Sequence, residues 1–163
     1  MSRLLLSCVA GLLLGRAGTA TEPPVGLSPA DAMLICRELS ELGERLSVLR
    51  GKDPLAPSKQ DLLADAEVYR KGVSWAIRYE AKLESADVAL LKKSQKRGGE
   101  RASAIADVKP MWTTRPGKFV RGYVSAVDGS VQPYGVIIPS GYDPKKPTRL
   151  DVVLHGRWRR CRG

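Results

Sequence analysis

His155 is the only histidine in the chain, carried at the end of an apolar run, Leu150-Asp-Val-Val-Leu154, and followed by Gly156. Histidine is the commonest general base for a serine nucleophile, so the first chemistry to weigh is acyl transfer. The serine whose surroundings come nearest to a nucleophile elbow is Ser74, in Gly72-Val-Ser-Trp-Ala76. True elbows set the serine on a sharp turn between a strand and a helix. Ser74 instead falls inside a helical repeat in which Val73 and Ile77 face inward, and no true G-x-S-x-G or S-x-x-K occurs. Ser74 therefore reads as helix interior.

The other reactive or charged groups point to less. Cys8, Cys36 and Cys161 have neither metal-ligand nor redox spacing. No metal site and no cofactor is expected, and a Cys36–Cys161 disulfide stays open without positive support. Lys92, Lys93, Lys96 and Arg97 form a basic helix face. No aromatics interleave with them and acids recur nearby, so a solvated face is the reading and no nucleic acid is expected as a partner. Trp75 and Tyr79, with Tyr69, could line a groove between helices, but aromatics at helical spacing are core by default.

The net charge of +10 is concentrated at the ends: Arg3, Arg16, Arg157, Arg159, Arg160 and Arg162 supply much of it. The body keeps only about +4, too little for a nucleic-acid footprint. With 43% hydrophobic and 27% charged residues the chain has the composition of a globular protein. Its 163 residues suit roughly one domain. Residues 1–20 read as a secretory signal peptide: Arg3, an apolar run from Leu4 to Leu14, and a small-residue site at Gly18-Thr-Ala20. That run is shorter than the ~20 residues of a membrane span. The expected location is secreted or otherwise extracytoplasmic, with no membrane span after signal cleavage.

Residues 21–27 are a Pro-rich lead-in, and residues 28–108 read as a helical domain. Ser28-Pro29-Ala-Asp31 is a helix start, with Ile35, Leu39, Leu42, Leu46 and Leu49 forming one apolar stripe. Glu41 and Arg45 are placed to pair on the wet face. Gly51 should end this helix. A second helix starts at Ser58-Lys-Gln-Asp61 and turns Leu62, Ala66, Tyr69, Val73 and Ile77 inward. A third starts at Ser85-Ala-Asp87, with Val88, Leu91, Ala102 and Ile105 in phase. Gly98-Gly99 interrupts it and predicts a break or kink, since two interior glycines cost ~2 kcal/mol relative to alanine. Short links predict a small antiparallel bundle. After Lys109-Pro110 the chain turns β-prone. Residues 118–127 and 130–138 flank Asp128-Gly129, a short hairpin signal. Leu150–Leu154 then reads as a strand, buried on both faces in a complete sheet but an exposed edge in this chain as it stands.

Val127-Asp-Gly-Ser-Val-Gln-Pro-Tyr-Gly-Val-Ile-Ile-Pro139, Gly141-Tyr-Asp-Pro144 and Pro147-Thr-Arg-Leu-Asp-Val-Val-Leu-His-Gly-Arg157 together resemble the start of secreted prolyl-oligopeptidase-like α/β-hydrolases. Leu62-Leu-Ala-Asp-Ala-Glu-Val-Tyr69 and Gly72-Val-Ser-Trp-Ala-Ile-Arg78 resemble the helical preamble of such proteins. The resemblance spans about residues 28–157. It implies that Gly156 and Arg157 supply backbone N–H groups of an oxyanion loop, with His155 as an adjacent structural residue. In that fold the base follows the nucleophile elbow, whereas His155 sits on the oxyanion strand ahead of it.

The expected fold class is thus α+β: a helical bundle, a hairpin and one further strand, with residues 109–157 as the opening strands of an α/β-hydrolase sheet. Residues 158–163 depart from the family pattern as an Arg-rich tail, so the chain reads as a serine hydrolase, peptidase or esterase, truncated just after His155-Gly156. The complete protein would take a peptide or ester substrate. This chain has no catalytic residue of its own and is expected to be inactive. The alternative is a non-enzymatic extracytoplasmic binding module built on the helical bundle.

Overall fold

The computed structural model describes residues 23–51, 56–143 and 145–154, and its first helix, α1 (Pro29–Arg50), starts where its cap dictates. The Ser28 Oγ accepts the Asp31 N–H at 3.1 Å, and Pro29 needs no N–H of its own at the first helical position. Gly51, at φ 69°, ends the helix while its N–H still bonds the Ser47 carbonyl at 3.2 Å. Ile35, Leu39, Leu42 and Leu46 are buried, with Leu49 half-buried at the end of the stripe. The polar face differs from expectation. Glu41 pairs with Arg37, whereas Arg45 donates to Ser103 Oγ at 2.7 Å and the Gly99 carbonyl at 3.4 Å. The reach of a long guanidinium to a neighbouring helix wins over an exposed pair of small net value.

Helix α2 (Pro57–Tyr79) begins one residue before Ser58, again with proline in the first turn. Helix α3 (Ser85–Ala106) begins after Glu84, whose N–H is held by the Asp87 carboxylate at 2.9 Å. It runs unbroken through Gly98-Gly99, contrary to the expected kink. Packing explains this. Gly98 is buried, and a Cβ there would lie 2.8 Å from Leu42 Cδ2 and 3.2 Å from Tyr69 Cβ. The missing side chain lets three helices meet closely, and that contact offsets the propensity cost.

The core shows how the helices run. Ile35 and Leu39 from the start of α1 meet Val73 from the end of α2 and Val88 and Leu91 from the start of α3. Leu42 and Leu46 meet Leu63 and Ala66 and then Ala102 and Ile105 at the other end. The bundle is therefore up, down, up, as the short links required. Residues 24–27 belong to it. The Val25 N–H bonds the Ala81 carbonyl at 3.0 Å, Leu83 returns the bond at 2.8 Å, and Leu27 and Leu83 enter the core. Gly26, at φ 94°, is required there because a Cβ would overlap the Leu83 carbonyl.

A 3₁₀ turn (Met111–Thr113) leads to two antiparallel strands, β1 (Gly117–Val124) and β2 (Val131–Ile138), paired from Gly117 with Ile138 to Val124 with Val131. The connection is wider than a two-residue Asp-Gly turn: the Ser125 N–H bonds the Ser130 carbonyl at 2.8 Å, and Gly129 sits at φ 69°. Asp128 spends its carboxylate on the N–H and hydroxyl of Ser130, at 3.1 and 2.8 Å, which builds the loop inward from both strand ends. Leu150–Leu154 corrects the expected third strand: it joins no ladder among the described residues, while its apolar side chains are 70–90% exposed, as expected of an uncovered edge. A strand exists only where a neighbour takes its N–H and C=O groups, and among the described residues none pairs with this segment.

Candidate functional site

In Leu63-Ala64-Asp65-Ala66 of α2, four consecutive residues are buried. A helix is buried on all sides only if it has neighbours on all sides. Here α1 and α3 cover one side of α2, and β1 with β2 cover the other. Asp65 lies at that second junction with 0% of its surface exposed.

A carboxylate in such a place must be paired and hydrogen-bonded. Asp65 Oδ2 accepts the Trp112 indole N–H at 2.8 Å, and Oδ1 accepts the Gly122 N–H at 2.8 Å. Arg121 Nε lies 2.6 Å from Oδ2 and supplies the countercharge. One side chain thus ties α2 to the 3₁₀ turn and to β1. Gly122 is forced to be glycine, because a Cβ would overlap the carbonyl of Ala64.

A second cation backs the junction. Arg101 of α3 is buried and donates to the Asp65 carbonyl at 2.7 Å. Its guanidinium lies 4.9 Å from the ring centre of Tyr69 and 5.1 Å from that of Trp112. Burial lowers the Arg101 pKa, with Tyr69 and Asp65 opposing. Burial also disfavours the charge on Arg121, but its contact with Asp65 outweighs this and holds its pKa above the ordinary value.

Beside the junction is an open groove of about 410 Å³ lined by Asp61, Arg121, Gly122, Tyr123 and Tyr134. The rings of Tyr123 and Tyr134 meet edge to face at 6.1 Å. Asp61, exposed on the first turns of α2, lines the same groove.

The residues singled out in the sequence fall elsewhere. His155, Gly156 and Arg157 lie outside the described residues, as do residues 1–20, Cys161 and the Arg-rich tail. Ser74 is in the interior of α2, with its hydroxyl buried. Trp75 and Tyr79 are 55% and 64% exposed, so the core reading of these two is corrected, while Tyr69 is buried. The hairpin covers part of α2 but leaves its last turns bare. Lys71 shows this boundary: its ammonium lies 4.5 Å from the Trp75 ring centre and bonds the Val131 carbonyl at 2.6 Å. On the basic face of α3, Lys92 pairs with Asp31, while Lys93, Lys96 and Arg97 are exposed. Among the described residues no helix is long and apolar enough to cross a membrane.

Asp65, Arg101, Trp112, Arg121 and Gly122 were not legible as a group. The one available signal was a lone acid amid apolar and small residues in Leu62-Leu-Ala-Asp-Ala66. No family model matches the chain, no curated protein is significantly similar to it, and no solved structure matches it.

Proposed function

We propose that this chain is the opening part of a secreted serine hydrolase, a peptidase or esterase of the prolyl-oligopeptidase-like α/β-hydrolase type, and is itself catalytically inactive. In the complete enzyme a serine would attack a peptide or ester carbonyl, a histidine would take its proton, and N–H groups at Gly156 and Arg157 would hold the oxyanion. Helices α1–α3 would then be the preamble, and β1 and β2 the first strands of the sheet. The observation that carries this reading is the pairing of an unfinished hairpin with a bare apolar segment. Among the described residues β1 and β2 have no strand neighbours besides each other, and Leu150–Leu154 is exposed next in sequence. Exposed strand edges and apolar runs are what added strands and helices would cover.

Two measurements test it. The gene read past the codon for Arg157 should, in some frame, encode G-x-S-x-G followed by Asp and His. The purified chain should stay unlabelled by a fluorophosphonate probe, which reacts with activated serines. Labelling of this chain sinks the claim of inactivity, and a coding region without an elbow sinks the hydrolase reading. The alternative, a binding module built on the bundle, draws on the exposed Trp75–Tyr79 pair, whose rings meet edge to face at 5.8 Å. It predicts that Trp75→Ala abolishes capture of the partner while leaving the unfolding transition in place.

A further inference from the structure

The groove between α2 and the hairpin contains two opposite charges that do not pair with each other. Arg121 Nε lies 2.6 Å from Asp65 Oδ2, and among the described residues its guanidinium makes no hydrogen bond to any other protein group. Asp61 lines the same groove and takes part in no ion pair or hydrogen bond among the described residues. Arg121 and Asp61 are close enough to interact electrostatically, yet no direct bridge closes between them. The space of about 410 Å³ left between them is bounded by the rings of Tyr123 and Tyr134.

We infer that this groove binds a free α-amino acid with an apolar side chain. The ligand's carboxylate would meet the guanidinium edge of Arg121, its ammonium would meet Asp61, and its side chain would lie against the two tyrosine rings. A planar guanidinium matches a carboxylate with two parallel hydrogen bonds. Asp65 holds that guanidinium in place from behind, so little side-chain freedom is lost when the ligand arrives. Simple anions and simple cations each meet one like charge in the groove, whereas a zwitterion meets none. The inference is independent of the hydrolase reading, because none of these residues belongs to the oxyanion loop.

The test is a titration of the full chain, followed by amide chemical shifts, with phenylalanine, N-acetylphenylalanine and phenylalaninamide. Phenylalanine should shift the Gly122 and Tyr123 amides saturably. Each blocked analogue should bind about ten-fold more weakly, the scale of one lost charge-assisted hydrogen bond. Asp61→Asn, at an exposed position, should weaken phenylalanine and tighten its anionic N-acetyl form, so that the gap between the two closes. Tyr134→Ala should weaken all three ligands alike. Arg121 also supports the fold, so Arg121→Lys serves there: it keeps the charge but should lose the carboxylate preference. Absence of saturable shifts with phenylalanine, equal binding of the blocked analogues, or indifference to Asp61→Asn would each overturn the inference.

Discussion

The inner junction around Asp65 and the bare segment Leu150–Leu154 contrast an acid that is wholly buried with an apolar run that is wholly exposed. Hydropathy alone predicts the reverse. Asp65 has 0% exposure because an indole N–H, a backbone N–H and a guanidinium converge on it. Leu154 is 90% exposed because no element among the described residues covers it. Burial is a property of what a residue meets. A carboxylate with fixed donors can be a docking point, and a valine without a neighbour remains in water.

That contrast can be broken first at Asp65. Asp65→Ala removes the acceptor for Trp112 and Gly122 and strands the Arg121 charge. The expected loss is about 3–5 kcal/mol, read by chemical denaturation. Amide exchange should show the hairpin losing protection ahead of the α1–α3 core. A result under about 1 kcal/mol would mean that apolar contact alone docks the hairpin.

Glycines sharpen the comparison next. Gly122→Ala drives a Cβ into the Ala64 carbonyl and should cost about 1–3 kcal/mol or more, since backbone cannot step aside as a side-chain tip can. Gly98→Ala meets Leu42 Cδ2, a movable group, and Tyr69 Cβ, so it should cost less than Gly122→Ala. Gly99→Ala has only Arg45 Nη1 nearby, at 3.8 Å, and should stabilise α3 by about 0.5–1 kcal/mol. Thermal or denaturant midpoints of the three variants give the order directly.

On the exposed side, Val152→Thr and Leu154→Ser should change stability by no more than about 0.5 kcal/mol. They should reduce self-association measured by sedimentation, because a contiguous exposed apolar run invites association. A large destabilisation would show that the segment is covered in solution. The smallest effects lie at Asp31 and Asp128. Their pKa values are lowered, for Asp31 chiefly by its bond to Lys92 and then Ser28, and for Asp128 by the backbone and hydroxyl of Ser130. A depressed carboxylate contributes stability above its unfolded pKa and loses it as pH falls through the folded one. Asp31→Asn and Asp128→Asn should therefore flatten the stability profile only in the acid range.

Much of the fold was legible. The Ser28 cap, the α1 stripe, the inward faces of α2 and α3 and the existence of a hairpin all follow from short-range rules of capping and periodicity, which depend on residues a few places apart. The candidate groove was not legible, since Asp61 and Arg121 belong to different elements. Helix α2 reads as amphipathic, yet its Leu63–Ala66 turn is enclosed, because the hairpin covers a side that the helical pattern assigns to solvent.

The sequence by itself determined where helices start, which stripe each turns inward, and that two β-prone runs pair about a turn near Gly129. Tertiary structure alone decided that Gly98 permits a close helix crossing, that Asp65 becomes the point holding the hairpin, and that Leu150–Leu154 has no ladder. The physical reason is range. Capping and periodicity act within a helical turn or a strand pair, whereas the burial of a charge or the pairing of a strand depends on groups brought together only by the folded chain.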